Sequence, residues 1–181
     1  MKDRVSRAGQ KLADAAEAFR FDFRGKTVLD IGSSTGGFTE YALTRGATRV
    51  VAVEKGTNQM ASPLRFDPRV ELHEKTDIFD VTLNDIDVAL ADVSFISLKP
   101  VLKHVKGWAK EYLVMLKPQF EAREDQLVGG VVKNERMRRE ICKDFEFWLK
   151  KNGFAVVGKR DNLVAGKRGG NVERFYYLKS C

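Results

Sequence analysis

The sequence predicts an α/β fold: a doubly wound, mostly parallel sheet of seven strands with an antiparallel strand at one edge. Three observations predict it. Seven apolar runs of strand length recur along the 181 residues. Helical patterns separate most of them, which is the alternation of a parallel sheet covered by helices on both faces. The last two runs have only "DNLVAGKRGGNVE" between them, so they can pair antiparallel.

The runs are "TVLDIG" (27–32), "RVVAVEK" (49–55), "VELHEKT" (70–76), "IDVALADV" (86–93), "EYLVMLK" (111–117), "FAVVGKR" (154–160) and "RFYYLKS" (174–180). Ahead of the first, "AGQKLADAAEAF" has helical spacing. A helix is expected over 36–46, a second over 98–108, "LKPVLKHVKGW", and a third over 135–151. The third carries Met137, Ile141, Phe145, Trp148 and Leu149 on one face and stops at Asn152-Gly153. The one long irregular stretch is 118–134, "PQFEAREDQLVGGVVKN". A loop of that length in a compact domain is usually functional or mobile. No repeat or low-complexity linker divides the chain, so 1–181 reads as a single domain.

Composition narrows the function. The net charge of +7 favours a polyanionic partner such as nucleic acid, although a merely basic surface gives the same number. No window approaches the roughly 18 apolar residues of a spanning helix. The charged start "MKDRVSRAGQKLADA" does not read as a signal peptide. Cys142 and Cys181 are too few for a disulfide framework, and no Cys/His cluster has zinc spacing. No metal is expected, and the cytoplasm is the expected compartment.

The stretch Leu29–Leu43, "LDIGSSTGGFTEYAL", passes from an apolar strand through a Gly-rich bend into an amphipathic run. That is a ligand-binding arrangement. A dinucleotide site needs G-x-G-x-x-G, so that the pyrophosphate can approach the helix N-terminus. "DIGSSTGGF" lacks that spacing, and Asp30 at the mouth of the bend would repel phosphate. Nicotinamide-dependent redox chemistry fails on both counts. S-adenosylmethionine has no phosphate and carries a sulfonium and an ammonium, so an acid suits it. Gly32, Gly36 and Gly37 allow close backbone approach, Ser34 and Thr35 offer hydroxyls, and Phe38 follows in the same motif. Glu54 ends the second run, where an acid can accept both ribose hydroxyls. Asp77, after the third run, can accept from the adenine amino group. Each has a plainer reading alone: Asp30 as a turn residue, Glu54 as a solvated strand end, Asp77 as a cap before "IFD". At three successive strand ends they share the edge where open α/β sheets bind ligands.

Four further segments carry a resemblance: "VSRAGQKL" (5–12), "ADVSFISL" (91–98), "LKPQFE" (116–121) and "GGNVERFYYL" (169–178). With "DIGSSTGGFT", the chain resembles the hemolysin-A-like, TlyA-type branch of the FtsJ-like RNA 2′-O-ribose methyltransferases, over essentially its whole length. The resemblance implies a Rossmann-like class I methyltransferase fold and S-adenosylmethionine as cofactor. It implies RNA as partner, ribosomal RNA or a ribosomal subunit, with a cytidine ribose 2′-hydroxyl as acceptor. It places a catalytic Lys-Asp-Lys-Glu set on Lys11, Asp92, Lys117 and Glu173, Asp92 also serving the cofactor. Relatives usually begin with a small RNA-binding domain, whereas this sequence starts at the methyltransferase module.

The chemistry explains such a set. A ribose hydroxyl is a poor nucleophile at neutral pH. Holding it in line with the methyl supplies up to about 7–11 kcal/mol, whereas a general base adds about 10²–10⁴-fold in rate. Lys117 is the residue expected to face the 2′-hydroxyl. It acts as a base if burial or Lys11 lowers its proton affinity. It acts as a cation that orients the hydroxyl and stabilises alkoxide charge if Asp92 and Glu173 keep it charged. Taken alone, Lys117 before Pro118 is a solvated lysine, Lys11 surface charge, and Glu173 a partner for Arg174 or Arg168.

Candidate phosphate contacts are Arg4, Arg7, Lys11 and Lys26 on the pocket side. Arg136, Arg138 and Arg139 open the third helix, with a solvated helix face as the alternative. Lys159, Arg160, Lys167 and Arg168 surround "GKRGGN" (166–171), which leads into Glu173. Phe95 and Phe120 are candidates to stack on a base, with core packing favoured for Phe95. Residues 121–130 are a candidate cover for the cofactor. Two other functions stand beside methyl transfer: an RNA-binding module of the same fold without turnover, and a membrane-lytic protein. The second lacks a basic, Trp-rich interfacial helix, and no membrane partner is expected.

Overall fold

The computed structural model describes residues 7–162 and 170–180. The elements run α1 (Arg7–Phe19), β1 (Thr27–Ile31), α2 (Gly37–Thr44), β2 (Arg49–Glu54), α3 (Ser62–Arg65), β3 (Val70–Glu74), β4 (Val88–Ala91), α4 (Leu98–His104) and β5 (Glu111–Leu116). After these come α5 (Pro118–Glu121), β6 (Leu127–Val128), β7 (Val131–Val132), α6 (Glu135–Lys151), β8 (Phe154–Asp161) and β9 (Arg174–Ser180). The main sheet has the order β3-β2-β1-β4-β5-β9-β8. Strands β1 to β5 are parallel, and β9 runs antiparallel to both β5 and β8. The expected antiparallel pair thus lies at one edge, with β9 as the reversed strand and β8 outermost.

The central strands are apolar on both faces because helices cover both. Leu29, Ile31, Val51, Val53, Ala89 and Val114 point to the layer that holds α4 and α6. Their chain neighbours Val28, Val50, Val88, Leu90, Leu113 and Met115 point to α1 and α2. Each large side chain taken fully out of water stabilises the fold by about 1.5–3 kcal/mol. Since the sheet order reverses between β1 and β4, a crevice opens at the carboxyl ends of these two strands.

Helix α6 has the expected bounds. The Asn134 side chain accepts from the Met137 N–H at 3.0 Å, and Gly153, with φ 74°, lets the chain leave after Asn152. Helices α2 and α4 are shorter than expected. Gly36 (φ 90°) precedes α2, and α4 stops at Val105, two residues before Gly107 (φ 88°). The 118–134 stretch is not a single irregular loop. It forms α5, a 3₁₀ turn at Glu124–Gln126 and the small β6–β7 hairpin. Asn171 pins that hairpin by accepting from the Val132 N–H at 3.0 Å.

Candidate active site

Register places the functional side chains. Ile31 pairs with Ala91, Ala91 with Val114, and Leu116 with Arg174. The next residues along are Gly32, Asp92 and Lys117 at three strand ends, while Glu173 enters the reversed β9 beside Lys117. Gly32 has φ 78°, and a Cβ there would lie 3.1 Å from the Asp92 carbonyl oxygen. A side chain would be strained by the backbone and crowded by β4, so glycine belongs at this bend.

The bend opens onto a cleft of about 560 Å³, lined by Gly32, Ser34, Glu54, Asp77, Asp92 and Phe95 among others. That volume suits a nucleoside-sized ligand. Glu54 is held in place by the Ser34 N–H at 2.9 Å and the Gly56 N–H at 2.6 Å. Asp77 does two jobs. It caps the turn at Ile78–Asp80 by accepting from the Phe79 N–H, and it pairs with Lys55 at 2.8 Å. The Lys55 hydrogen bond comes first in holding its carboxyl below the usual range.

Asp30 lies beneath the bend and not at its mouth, which corrects the expectation from sequence. It is fully buried, because β1 is covered on both faces. One carboxylate oxygen accepts from the Thr39 hydroxyl at 2.7 Å, and the other has no partner. Burial pushes the Asp30 carboxyl up to about 7 against the Thr39 hydrogen bond, and nearby Asp92 adds to the rise. Thr35 is exposed at the bend. Gly36 faces Leu64 and Met60, Gly37 starts α2, and Phe38 packs in the core against Phe175.

These residues fit S-adenosylmethionine by their chemistry. A buried carboxylate with an orphaned oxygen lowers the potential under the bend, and Glu54, oriented by the Ser34 and Gly56 N–H groups, puts an acceptor in the cleft of the kind ribose hydroxyls need. Glycine at position 32 removes the obstacle to close approach.

The four residues of the catalytic pattern form two ion pairs. Lys117 Nζ lies 2.5 Å from Asp92 Oδ1, and Lys11 Nζ lies 2.5 Å from Glu173 Oε2. The side chains of all four are less than one-fifth exposed. Ser94, which the sequence reading did not single out, accepts from Lys117 Nζ at 2.7 Å. Asn162 donates to Glu173 Oε2 at 3.0 Å. Lys117 takes the extended backbone that a residue before proline requires, at φ −105° and ψ 100°. Glu121, which ends "LKPQFE" and did not stand out in the sequence, accepts from Ser97 Oγ and the Leu98 N–H.

Several expectations for RNA contacts change. Lys26 sits one residue before β1, at the edge opposite the cleft, and pairs with Glu111. A parallel sheet sends the two ends of a strand to opposite edges, so Lys26 cannot flank the pocket. Arg138 is 8% exposed and bridges Glu135 and Asp161, so it braces α6 against β8. Arg136 and Arg139 are exposed and pair with Glu140 and Glu135. Lys159 pairs with Glu146. Arg7 and Arg160 are exposed. Phe95 is 89% exposed at φ 68°, not packed in the core, with its ring 5.5 Å from that of Phe120. None of residues 121–130 lines the cleft. Instead α5 and β7 pack on α6. Arg4, Lys167, Arg168 and most of "GKRGGN" lie outside the described residues. Among the described residues, no helix is long and apolar enough to cross a membrane.

Comparison with known proteins identifies the family. A family model for FtsJ-like methyltransferases matches residues 4–180. The 16S/23S rRNA (cytidine-2′-O)-methyltransferase TlyA of Mycobacterium tuberculosis is 40% identical over 184 residues, covering 97% of this chain and 68% of that protein. Hemolysin A of Brachyspira hyodysenteriae is 36% identical over 178 residues, covering 93% and 74%. A solved structure from Streptococcus thermophilus that carries a hemolysin name superposes with a TM-score of 0.92 at 34% identity, covering 99% of this chain and 68% of that one. In fold alone, the chain is also similar to a Burkholderia thailandensis N-methyltransferase with bound S-adenosylhomocysteine, with a TM-score of 0.67 at 17% identity over 98% of this chain and 79% of that one. The sheet is the Rossmann-like sheet of S-adenosylmethionine-dependent methyltransferases, and by family model and whole-length identity alike the chain belongs to the FtsJ-like methyltransferase family.

Proposed function

We propose that this chain transfers a methyl group from S-adenosylmethionine to a ribose 2′-hydroxyl of RNA, at a cytidine of ribosomal RNA, in the cytoplasm. The observation that carries the proposal is a set of two Lys–carboxylate pairs, Lys117–Asp92 and Lys11–Glu173, whose Lys117 and Glu173 flank the paired Leu116 and Arg174 of β5 and β9, with Asp92 lining an acid-lined cleft.

When bound, S-adenosylmethionine supplies an electrophilic methyl on a cationic sulfur. Glu54 would hold the ribose of that cofactor, with Asp77 and Gly32, which line the same cleft, beside it. Asp92 reaches both the cleft and Lys117. Lys117 donates a hydrogen bond to the acceptor oxygen, turns its lone pair toward the methyl, and stabilises negative charge as the hydroxyl proton passes to water. The contact with Asp92 favours this orienting role over that of a base. Lys11, set by Glu173 and Asn162, holds the acceptor ribose or its phosphate. Exposed Phe95 with Phe120 offers a face for the target base, and Arg7 and Arg160 supply phosphate contacts.

Tritiated methyl transfer from S-adenosylmethionine to bulk ribosomal RNA tests this. The wild-type chain incorporates label, nuclease digestion places it on 2′-O-methylcytidine, and Lys117→Ala incorporates at least about a hundredfold less. RNA binding without incorporation by the wild-type chain overturns the proposal in favour of a module without turnover.

A further inference from the structure

The loop between β4 and α4 is fastened at four points to the chain that follows β5. Asp92 and Ser94 hold Lys117, and the Phe95 ring meets that of Phe120. Ser97 Oγ and the Leu98 N–H both donate to the Glu121 carboxylate, at 2.8 and 2.6 Å. The last contact differs in kind from the others. Glu121 is the buried member, its side chain 3% exposed, and it lines no part of the cleft. Its two oxygens take separate donors on the first turn of α4, and Lys99 Nζ stands 3.8 Å away. Burial pushes its carboxyl up, against both hydrogen bonds. A surface acid would serve as well for solubility, so a carboxylate placed here at a desolvation cost is doing structural work.

That work has a direction. Residues 92–98 and 117–121 lie on different strands' ends, and nothing in the parallel sheet fixes how their loops sit against one another. Phe95 is held at φ 68°, a backbone state that a bulky residue keeps only when its surroundings impose it. Glu121 anchors one side of that residue, while the Lys117–Asp92–Ser94 cluster anchors the other.

We infer that Glu121 is a positioning residue for the acceptor side of the reaction: it locks the loop carrying Ser94 and Phe95 in register with Lys117, so that the base platform and the orienting ammonium keep a fixed separation. This rests on the proposed methyl transfer to RNA. Gly32, Glu54 and Asp77 lie outside that loop, although Ser94 and Phe95 line the same cleft.

Two measurements on the full chain test the inference. Hydrogen exchange in Glu121→Ala speeds up at least about tenfold at amides 94–98 and is unchanged in β1 and β5. In the same variant, methyl transfer at saturating RNA and cofactor falls about ten- to a hundredfold, as a small misplacement of reacting groups does. Its affinity for S-adenosylhomocysteine falls by clearly less than the rate, because Gly32, Glu54 and Asp77 of the same cleft are untouched. Glu121→Gln, which can still accept from the Leu98 N–H and bond the Ser97 hydroxyl, restores most of both. Unchanged exchange in Glu121→Ala, or a cofactor affinity that falls in step with the rate, overturns the inference. A wild-type chain that methylates no RNA overturns the functional reading instead, and the two failures are read from different samples.

Discussion

The Lys11 ammonium meets the Glu173 carboxylate 162 positions later in the chain, at 2.5 Å, with both side chains less than one-sixth exposed. The pair ties α1 to the approach to β9. Desolvated partners couple strongly, because each is left unpaired when the other is removed. Lys11→Met and Glu173→Gln are each expected to destabilise the fold by about 1–3 kcal/mol. The double variant should cost clearly less than the sum, and urea unfolding of all four proteins gives the coupling energy. Additivity within about 0.5 kcal/mol shows that the contact holds nothing together.

Asp92 and Lys117 divide by what else they touch. Asp92 lines the cleft, whereas Lys117 does not. Calorimetric titration with S-adenosylhomocysteine should therefore show weaker binding for Asp92→Ala and near wild-type binding for Lys117→Ala, while methyl transfer collapses in both. Equal losses of binding in the two variants contradict this division.

Asp30 makes stability depend on pH near neutrality. Its carboxyl titrates at about 7 in the folded chain, above the unfolded value of 3.8. As pH falls from 7 toward 4 the folded state takes up the proton first, so folding is favoured more at the acid end of that window. Above pH 7 the full penalty of a buried charge applies. Asp30→Asn removes it, and should be more stable than the wild type at pH 8 by up to about 4 kcal/mol, at about 1.4 kcal/mol per pKa unit. The advantage should shrink toward pH 4. Urea unfolding at pH 8 and pH 5 checks the trend, and a constant difference between the two proteins contradicts it.

Asp161 works in the opposite sense. Burial pushes its carboxyl up, but the hydrogen bonds from Arg174 and Arg138 outweigh burial and hold it down at about 2. It contributes stability above pH 4 that is lost as pH falls through 2. Asp161→Asn leaves the buried Arg138 guanidinium with Glu135 alone and should cost about 3 kcal/mol at pH 7. Thermal unfolding across pH 2–7 should show the variant declining less steeply toward acid than the wild type, since Glu135 and other paired carboxylates still lose their partners' support there.

The parts of this molecule that repeat or alternate were readable in the sequence. Apolar runs gave the seven main strands, and a period of 3.6 ending at Asn152-Gly153 gave α6 to the residue, while its Asn134 cap showed only in the structure. Acids at successive strand ends gave the cleft edge, since parallel strands deliver their carboxyl ends to one side. What depends on three dimensions was hidden. Arg138 reads as a surface arginine until Asp161 of β8 lies beside it. Phe95 reads as core because aromatic residues usually bury, and only the turn after Asp92 shows it facing out. Glu121 reads as one acid in "QFEAREDQ", because its donors lie more than twenty positions upstream. Asp30 looked like a rim residue because sequence gives the end of a strand but not its depth.

The reversed strand has a consequence for how the molecule is made. β9 is slotted between β5 and β8, so β5 lacks its outer neighbour and β8 has none until residues 174–180 exist. A chain growing from its amino end can complete the donor-side crevice once β4 is in place, long before Glu173 arrives to secure Lys11. Until then β5 presents a bare row of amides and carbonyls, the kind of border that recruits stray chains. The half proposed to grip the small molecule is thus ready early, and the side proposed to meet a large polymer is complete only when the hairpin zips shut.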